Sequence, residues 1–317
     1  MVYPFQGFTG WLARATYRNE YSSAIHGLQS IIITTHRSSL PKPTSLAPNY
    51  QYGLPLELWE LILDMLSDDA KALKACAVTC SAFLNRSRRN LYRRATLYAE
   101  DDANLFVQTL TNDPGNRDAV RELVLIGRLL SHQAGNATSL LFPMLNKLDT
   151  LVIYRLDHDV YPHIHIPPLH VQRNITRFCL GAAHFQSFSQ LSELLLSFLN
   201  LNHLNLTDVS FEEDVDVSAI DVHTPHLRLT TVHLRGVMPY PNHLRLEVLA
   251  HWLCRVSPST INSLRLISGL DAETAGAAEH FIHANRAALH TLVFDLGCTN
   301  WENGKSGLYS AYVTWSC

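Results

Sequence analysis

From Val120 onward, apolar residues recur in a spaced triplet, in which the second and third apolar residues stand three and five positions after the first. The triplets are Val120/Leu123/Leu125, Leu148/Leu151/Ile153, Ile175/Phe178/Leu180, Leu201/Leu204/Leu206, Leu229/Val232/Leu234, Ile261/Leu264/Leu266 and Leu289/Leu292/Phe294. Successive triplets begin 28, 27, 26, 28, 32 and 28 residues apart. A period of this length indicates a repeat of one supersecondary unit.

Each repeat predicts one strand followed by one helix. The last two residues of a triplet alternate as core-facing strand residues do, and the segments between triplets carry apolar residues at helical spacing. Helices are expected at residues 187–200, 244–256 and 273–288. An initial strand is expected at residues 95–98, followed by a helix that Asp101 and Asp102 cap. Repeated strand-helix units build a parallel sheet with helices on its outer side.

Residues 54–93 have a different pattern, that of three short helices. Pro55 suits a first helical position, and Glu57 and Glu60 stand where the helix dipole favours acids. An apolar stripe follows at Leu58, Ile62, Met65 and Leu66, a second face at Leu73, Cys76, Ala77 and Cys80, and a third at Phe83, Leu84, Leu91 and Tyr92. About 40 residues bury too little surface to be stable alone, so these faces need a neighbouring module or a partner.

This segment resembles the F-box in the order and spacing of its motif. The matching positions are Leu54-Pro55-x-Glu57-Leu58, Ile62, Leu66, Leu73, Val78-x-Cys80 and Phe83. The family usually has tryptophan where this chain has Phe83. The resemblance implies a helix-in-groove contact with a Skp-type adaptor, and through it a cullin-based ubiquitin ligase of the SCF type. The adaptor-binding residues it implies are Leu54, Pro55, Leu58, Ile62, Leu66, Leu73, Val78 and Phe83. The alternative is an ordinary helical cap on the domain that follows.

The triplet spacing is similar to that of leucine-rich repeats. The consensus of that family continues with Asn or Cys three residues after the second strand leucine. This chain has Arg128, Leu156, Ala183, Val209, Val237, Gly269 and Gly297 there. The expected fold class is therefore α/β: a small three-helix F-box followed by a degenerate leucine-rich-repeat-like strand-helix solenoid with a curved parallel sheet. A compact α/β domain with the same alternation is the rival.

These patterns divide the chain into four parts. Residues 1–53 have few acids and many Ser and Thr, which predicts a poorly ordered extension and linker, with a transit peptide as the alternative. Residues 54–97 form the F-box and residues 98–297 the repeat domain. Residues 298–317 lack repeat spacing and are expected to be an irregular tail.

The strand residues between the core positions predict a target-binding face. On a solenoid these residues line the concave side. Its candidate residues are Tyr154, Arg177, His203, Asn205, His233, Arg235 and Arg265. Five of them, Arg177, His203, His233, Arg235 and Arg265, form what we call the cationic strip. Arginine favours bidentate pairing with carboxylate or phosphate, so the expected target is acidic or phosphorylated. The alternative is a polar face that keeps an exposed sheet soluble.

Composition and charge argue against several classes of protein. A net charge of −3 and a pI near 6.6 exert no general pull toward nucleic acid or anionic membrane. The six cysteines form no CxxC pair, which favours reduced thiols and a cytoplasmic or nuclear location. The strongest apolar run, residues 191–201, is too short to span a bilayer.

The sequence also predicts no enzymatic chemistry. The 17 histidines have no zinc-site spacing, and the chain lacks HExxH, GxSxG and phosphate-loop motifs. We therefore expect no metal, cofactor or catalytic residue, and a substrate-recognition subunit of an SCF-type ligase. The alternatives are an interaction scaffold outside a ligase and an enzyme on an α/β domain.

Overall fold

The computed structural model describes residues 54–126, 140–156, 174–212, 227–235, 246–257, 260–267, 272–298 and 307–314. The chain divides into two compact units, Met1–Leu58 and Trp59–Cys317, and residues 54–58 are the described part of the first. The extension predicted for residues 1–53 lies outside the described residues.

Three helices open the described chain: α1 (Leu56–Met65), α2 (Ala70–Thr79) and α3 (Ser81–Arg93). Asp69 caps α2, because its carboxylate accepts a hydrogen bond of 2.9 Å from the backbone N–H of Ala72. Cys80 adopts an extended backbone between α2 and α3, which ends one helix and begins the next. A side-chain cap is therefore present at α2 but not at α3, and Pro55, predicted as a first helical position, lies just before the first residue of α1.

The remaining described chain alternates strands with helices. In chain order the elements are β1 (Arg94–Leu97), α4 (Glu100–Asn112), a 3-10 helix (Pro114–Ala119), β2 (Glu122–Ile126), a 3-10 helix (Phe142–Met144), β3 (Thr150–Leu156), β4 (Arg177–Phe185), α5 (Phe188–Leu196), β5 (His203–Phe211), β6 (Thr231–Arg235), α6 (Leu246–Val256), β7 (Ser263–Ile267), α7 (Ala272–Asn285), β8 (Thr291–Cys298) and β9 (Gly307–Thr314). The three helices predicted between triplets correspond to α5, α6 and α7.

The nine described strands form one sheet in chain order. Each of β1 to β7 pairs in parallel with the next strand, and β9 pairs antiparallel with β8. The prediction of an α/β fold with a parallel sheet is confirmed, and this strand order is consistent with a strand-helix solenoid.

The triplets also predict the register of the sheet. One row of paired, buried residues consists of Ala95, Leu123, Leu151, Phe178, Leu204, Val232, Leu264 and Leu292. A second buried row lies two residues further along each strand, at Leu97, Leu125, Ile153, Leu180, Leu206, Leu234 and Leu266. Both rows belong to one hydrophobic core. Repeat spacing specifies register because slipping a strand by one residue moves its apolar side chains to the other face.

The helices complete this core from one side of the sheet. Helix α5 buries Phe188, Leu191, Leu194 and Leu195, and α6 buries Val248, Leu249, Trp252 and Leu253. The rings of Phe188 and Trp252 meet edge to face with their centroids 5.9 Å apart, so the helices of the third and fifth repeats pack against each other.

A backbone ladder joins successive repeats where each strand begins. The carbonyl of Asp149 accepts hydrogen bonds from the N–H groups of both Thr176 and Arg177. The same two-donor arrangement recurs at the carbonyls of Arg121, Thr176, Asn202, Thr230 and Asn262. These residues directly follow the first apolar member of a triplet, a position that is polar in every repeat from Arg121 to His290. The sequence analysis did not use this polar position, although it has the same period as the apolar ones.

Three strands contain a stacked irregularity that the sequence did not predict. Arg155, Ala182 and Asp208 have positive φ angles of 57°, 49° and 52°, and the register skips all three. The strands then continue with a third row of paired residues that includes Ala183 and Val209, both buried. Ala183 and Val209 stand where the leucine-rich-repeat consensus has Asn or Cys. At these positions the chain therefore continues as a strand, whereas the leucine-rich-repeat consensus has an Asn or Cys that ends the strand.

Two segment boundaries differ from expectation. Residues 307–314, within the predicted irregular tail, form strand β9. Residues 94–97 form β1 and pair with β2, in agreement with the initial strand predicted at residues 95–98, so the boundary at residue 97 assigned a strand of the sheet to the helical segment. Ala95 and Leu97 continue the two buried rows of the sheet, whereas backbone pairing with β8 accounts for β9.

Candidate functional site

Within the second compact unit, the helical segment has a small inward-facing core. Leu63 of α1 is 2% exposed and Leu73 of α2 is fully buried. The rings of Trp59 and Phe83 lie 5.3 Å apart, joining α1 to α3. Leu63 and Trp59 were not part of the predicted stripe. Helix α1 is apolar on several sides, so its sequence does not reveal which side faces inward.

A polar cluster fixes α1 against α3. Arg86 donates two hydrogen bonds to the carboxylate of Asp64, with Nε to Oδ1 at 2.7 Å. Asn90 donates to the Leu63 carbonyl at 2.9 Å and to Asp64 Oδ1 at 3.0 Å. The bond from Arg86 lowers the pKa of the Asp64 carboxyl against the opposing effect of desolvation. Bidentate pairing adds geometric specificity, so this cluster sets the orientation of α1.

With its inner side held this way, the segment leaves large apolar side chains in solvent. In α1, Met65 is 79% exposed, and Leu61 and Ile62 are also exposed; in α2, Val78 is 69% exposed. Leu54 and Leu58, in the described part of the first unit, are exposed as well. An exposed set of leucine, isoleucine, methionine and valine is typical of an interaction surface.

The eight predicted adaptor-binding residues fall into two groups. Leu54, Pro55, Leu58, Ile62 and Val78 are exposed. Leu66 and Phe83 are half-buried, and Leu73 is buried completely. Leu73 therefore supports the surface from beneath, because a side chain without solvent exposure has no area to offer a partner in this conformation.

The seven predicted target-binding residues lie on the face of the sheet opposite the helices. Outward positions alternate with the buried rows on β4, β5 and β6, whereas Val124 and Val152, at corresponding positions of β2 and β3, are buried. Arg177, His203, His233 and Arg265 form a stepped diagonal across β4 to β7: Arg177 pairs with His203, His233 pairs with Arg265, and the step of two residues lies between the histidines. Asn205 pairs with His233, and Arg235 lies two residues beyond His233. The structure thus brings the cationic strip together on four neighbouring strands.

The middle of this diagonal is a histidine pair. The rings of His203 and His233 meet edge to face with centroids 5.1 Å apart. Desolvation, together with the smaller effects of His203 and Arg265, lowers the pKa of His233 to about 4. Desolvation, aided by Arg177, also lowers the pKa of His203. At neutral pH the imidazoles are therefore uncharged, and the positive charge of the strip resides on its arginines.

Tyr154 borders the strip across Gly181. A Cβ atom at Gly181 would lie 2.3 Å from two carbon atoms of the Tyr154 ring, so the ring covers this glycine. Desolvation raises the pKa of Tyr154. Glycine is required here because any larger residue would displace the ring. Tyr154 thus forms an aromatic shelf at one side of the strip.

Cys179 lies beneath the strip as a structural group. Burial raises the pKa of its thiol to about 11, and a hydrogen bond with Asn205 acts in the opposite direction. A thiol held in its neutral form is a poor nucleophile. Cys179 therefore packs the outward face rather than supplying reactivity.

The sequence missed a polar contact beyond the left-handed residues. His184 Nδ1 lies 2.9 Å from Ser210 Oγ, and its Nε2 lies 3.8 Å from a carboxylate oxygen of Glu212. His184 and Ser210 are directly opposite each other on β4 and β5. Their alternation is shifted by Ala182 and Asp208, so the triplet pattern alone could not place them on this face.

The described ranges contain neither a candidate metal site nor a candidate membrane span. They hold no group of three or more His, Cys, Asp or Glu side chains that could bind a metal ion. No helix in the same ranges is long and apolar enough to cross a membrane. Comparisons of the chain with family models, curated proteins and solved structures found no match.

Proposed function

We propose that this protein is a substrate-recognition subunit of an SCF-type cullin ubiquitin ligase. Helices α1 to α3 act as a three-helix F-box that docks a Skp-type adaptor. The sheet and its helices act as a curved, leucine-rich-repeat-like solenoid that holds the target. The protein itself is not an enzyme: it brings the target close to the subunits that transfer ubiquitin. In this proposal the protein is located in the cytoplasm or nucleus.

The observation that carries this proposal is the exposed apolar surface of α1 and α2. Ile62, Met65 and Val78 stay in solvent while Leu63 and Leu73 hold the helices from inside. The area cannot be hidden by rotating α1, because Arg86 and Asn90 bind Asp64 and the Leu63 carbonyl. A partner that offers an apolar groove would remove these side chains from water, at about 1.5–3 kcal/mol for each one fully buried.

The outward face of the sheet supplies the target-binding surface in this proposal. Arginines at its centre favour an acidic or phosphorylated segment. None of the outward positions that pair across β4 to β7 in the rows of Arg177, His233 and Arg235 is acidic. The same rows contain acids on flanking strands, Glu122 on β2 and Asp295 on β8, so the attraction for carboxylates and phosphates is centred on β4 to β7.

A binding experiment with a purified Skp-type adaptor tests the proposal. The wild-type chain is expected to bind, and Ile62→Asp combined with Val78→Asp is expected to weaken binding at least 100-fold, because each charge would be desolvated in the groove. Leu199→Asp is the matched control, since Leu199 is 53% exposed but lies after α5 in the repeat domain. Failure of the wild type to bind, or equal loss in the control, contradicts the assignment.

The alternative function is an interaction scaffold outside a ligase. The outward face of the sheet favours it equally, because that face does not require an adaptor. Co-purification separates the two: a scaffold recovers a target but no adaptor or cullin.

A further inference from the structure

The charge along the diagonal of the strip is divided between its two ends. Arg177 stands at one end on β4, and Arg265 on β7 stands at the other end, with Arg235 on the adjacent strand β6. The edge-to-face rings of His203 and His233 lie between the two ends. Because those imidazoles are neutral at pH 7, the strip presents Arg177 at one end and the neighbouring Arg235 and Arg265 at the other, rather than one continuous band of charge.

The register sets the distance between these two positions. Three strand spacings separate β4 from β7, and the diagonal advances two residues along the strands. With strands about 4.8 Å apart and a rise of about 3.3 Å per residue, the Cα atoms of Arg177 and Arg265 lie about 16 Å apart. An extended peptide covers this distance in about five residues.

We propose that the strip is a two-anion receptor for an extended acidic peptide, in which two anionic side chains about five residues apart pair with Arg177 and Arg265. This deepens the target-binding part of the proposed function and rests on it. The segment between the two anions lies across the histidine rings. The two imidazoles are uncharged and half-buried there, so small or apolar residues fit between the anions.

The spacing favours a peptide over a nucleic acid. A nucleic acid carries a phosphate at every nucleotide and is held by a continuous basic groove with aromatic stacking platforms. The outward face here has neutral imidazoles between its terminal arginines, and the Tyr154 ring is packed over Gly181. A guanidinium pairs equally well with carboxylate or phosphate, so glutamate and phosphoserine peptides share the required chemistry.

A peptide series tests the inference without the adaptor. The full chain is titrated with labelled peptides of Gly, Ser and Ala that carry two glutamates, or two phosphoserines, separated by one to nine residues. We expect affinity to peak at separations of about four to six and to exceed that of a single-anion peptide about tenfold, which corresponds to one added ion pair. Binding of the phosphoserine series alone still supports the receptor and identifies phosphate as the anion.

Substitutions of the arginines test whether the spacing optimum depends on the cationic strip. Arg177→Gln, or Arg265→Gln combined with Arg235→Gln, is expected to remove the spacing optimum and reduce the best peptide to single-anion affinity, whereas Arg286→Gln, which changes an exposed arginine just after α7, leaves the profile unchanged. Affinity that is independent of spacing, or that survives removal of the arginines at either end, overturns the inference. Equal or tighter binding of a single-stranded oligonucleotide overturns it in favour of a general polyanion surface. A chain that fails to bind the adaptor but shows the spacing optimum would contradict the ligase assignment and still support the two-anion receptor.

Discussion

Arg86 of α3 donates two hydrogen bonds to the carboxylate of Asp64 in α1, and Asn90 donates a third to the same carboxylate. This arrangement ties the first and third helices of the segment at one point. It fixes α1 in the rotation that turns Leu63 inward and leaves Ile62 and Met65 in solvent. The apolar surface proposed to meet an adaptor thus depends on a polar cluster at its edge.

Arg86→Met tests that dependence. Methionine keeps the apolar stem but loses both donors, so Asp64 retains Asn90 alone. We expect unfolding free energy to fall by roughly 1–2 kcal/mol, since both partners are partly solvated. Urea denaturation measures the change. Arg89→Met is the control because Arg89 lies on the same helix with its side chain exposed, and it should change stability by less than about 0.5 kcal/mol. Equal effects of the two substitutions would contradict the role given to Arg86.

Leu73 and Val78 of α2 are expected to have different roles: Leu73 stabilises the helical segment, and Val78 contacts the adaptor. Leu73 is 0% exposed and Val78 is 69% exposed. Leu73→Ala should lower stability by about 2–5 kcal/mol through lost burial and a residual cavity. Val78→Ala should leave stability within about 0.5 kcal/mol of the wild type while weakening adaptor binding. Thermal unfolding and adaptor titration of both variants are the measurements, and a stability loss in Val78→Ala as large as that of Leu73→Ala would refute the distinction.

Gly181 is expected to tolerate no side chain beside Tyr154. Gly181→Ala places a methyl group 2.3 Å from the ring, and displacing the ring should cost about 1–3 kcal/mol. Combining Gly181→Ala with Tyr154→Ala should cost less than the sum of the two single changes, because the clash is then absent. Gly276→Ala in α7 is the control: no atom lies within 4 Å of the added methyl. That control should stabilise the protein by up to about 1 kcal/mol. Additive losses at Gly181 and Tyr154 would show that the ring contact is not the cause.

The lowered pKa of His233 predicts a pH dependence of stability. Its pKa is about 4 in the folded chain and about 6.5 when unfolded, so the unfolded state binds more protons between these values. The stability that this group contributes is complete above pH 6.5 and is lost as pH falls toward 4. By pH 5 we expect a loss of about 1–2 kcal/mol. His233→Asn should reduce the difference between urea unfolding at pH 7 and pH 5, and an unchanged difference would contradict the assignment.

The same imidazoles link target binding to pH. The anions paired with Arg177 and Arg265 lie one strand from His203 and His233, which are directly opposite those arginines in the sheet. Their negative charge favours the protonated imidazoles, so binding of an acidic peptide should take up protons and tighten as pH falls from 7 toward 5. Isothermal titration in buffers of different ionisation enthalpy measures this uptake. His203→Asn combined with His233→Asn should abolish the uptake while retaining the ion pairs at Arg177 and Arg265. Uptake that persists in that variant would assign the proton to another group.

Local apolar periodicity by itself determined the strands and their register. Leu151, Phe178 and Leu204 occupy one buried row because each stands at the same place in its triplet, and a slipped register would expose every one of them. The outward positions followed from the same alternation. For this reason the sequence alone predicts which residues form the cationic strip.

Tertiary structure decided what periodicity leaves open. Helix α1 is apolar on several sides. Asp64 contacts Arg86, 22 residues away in the chain, and this contact fixes the rotation of α1 that buries Leu63. The left-handed residues Ala182 and Asp208 shifted the alternation and placed His184 opposite Ser210. Burial and neighbouring charge set the protonation of His233. Each of these depends on atoms brought together from distant parts of the chain, whereas strand alternation depends on neighbours in sequence.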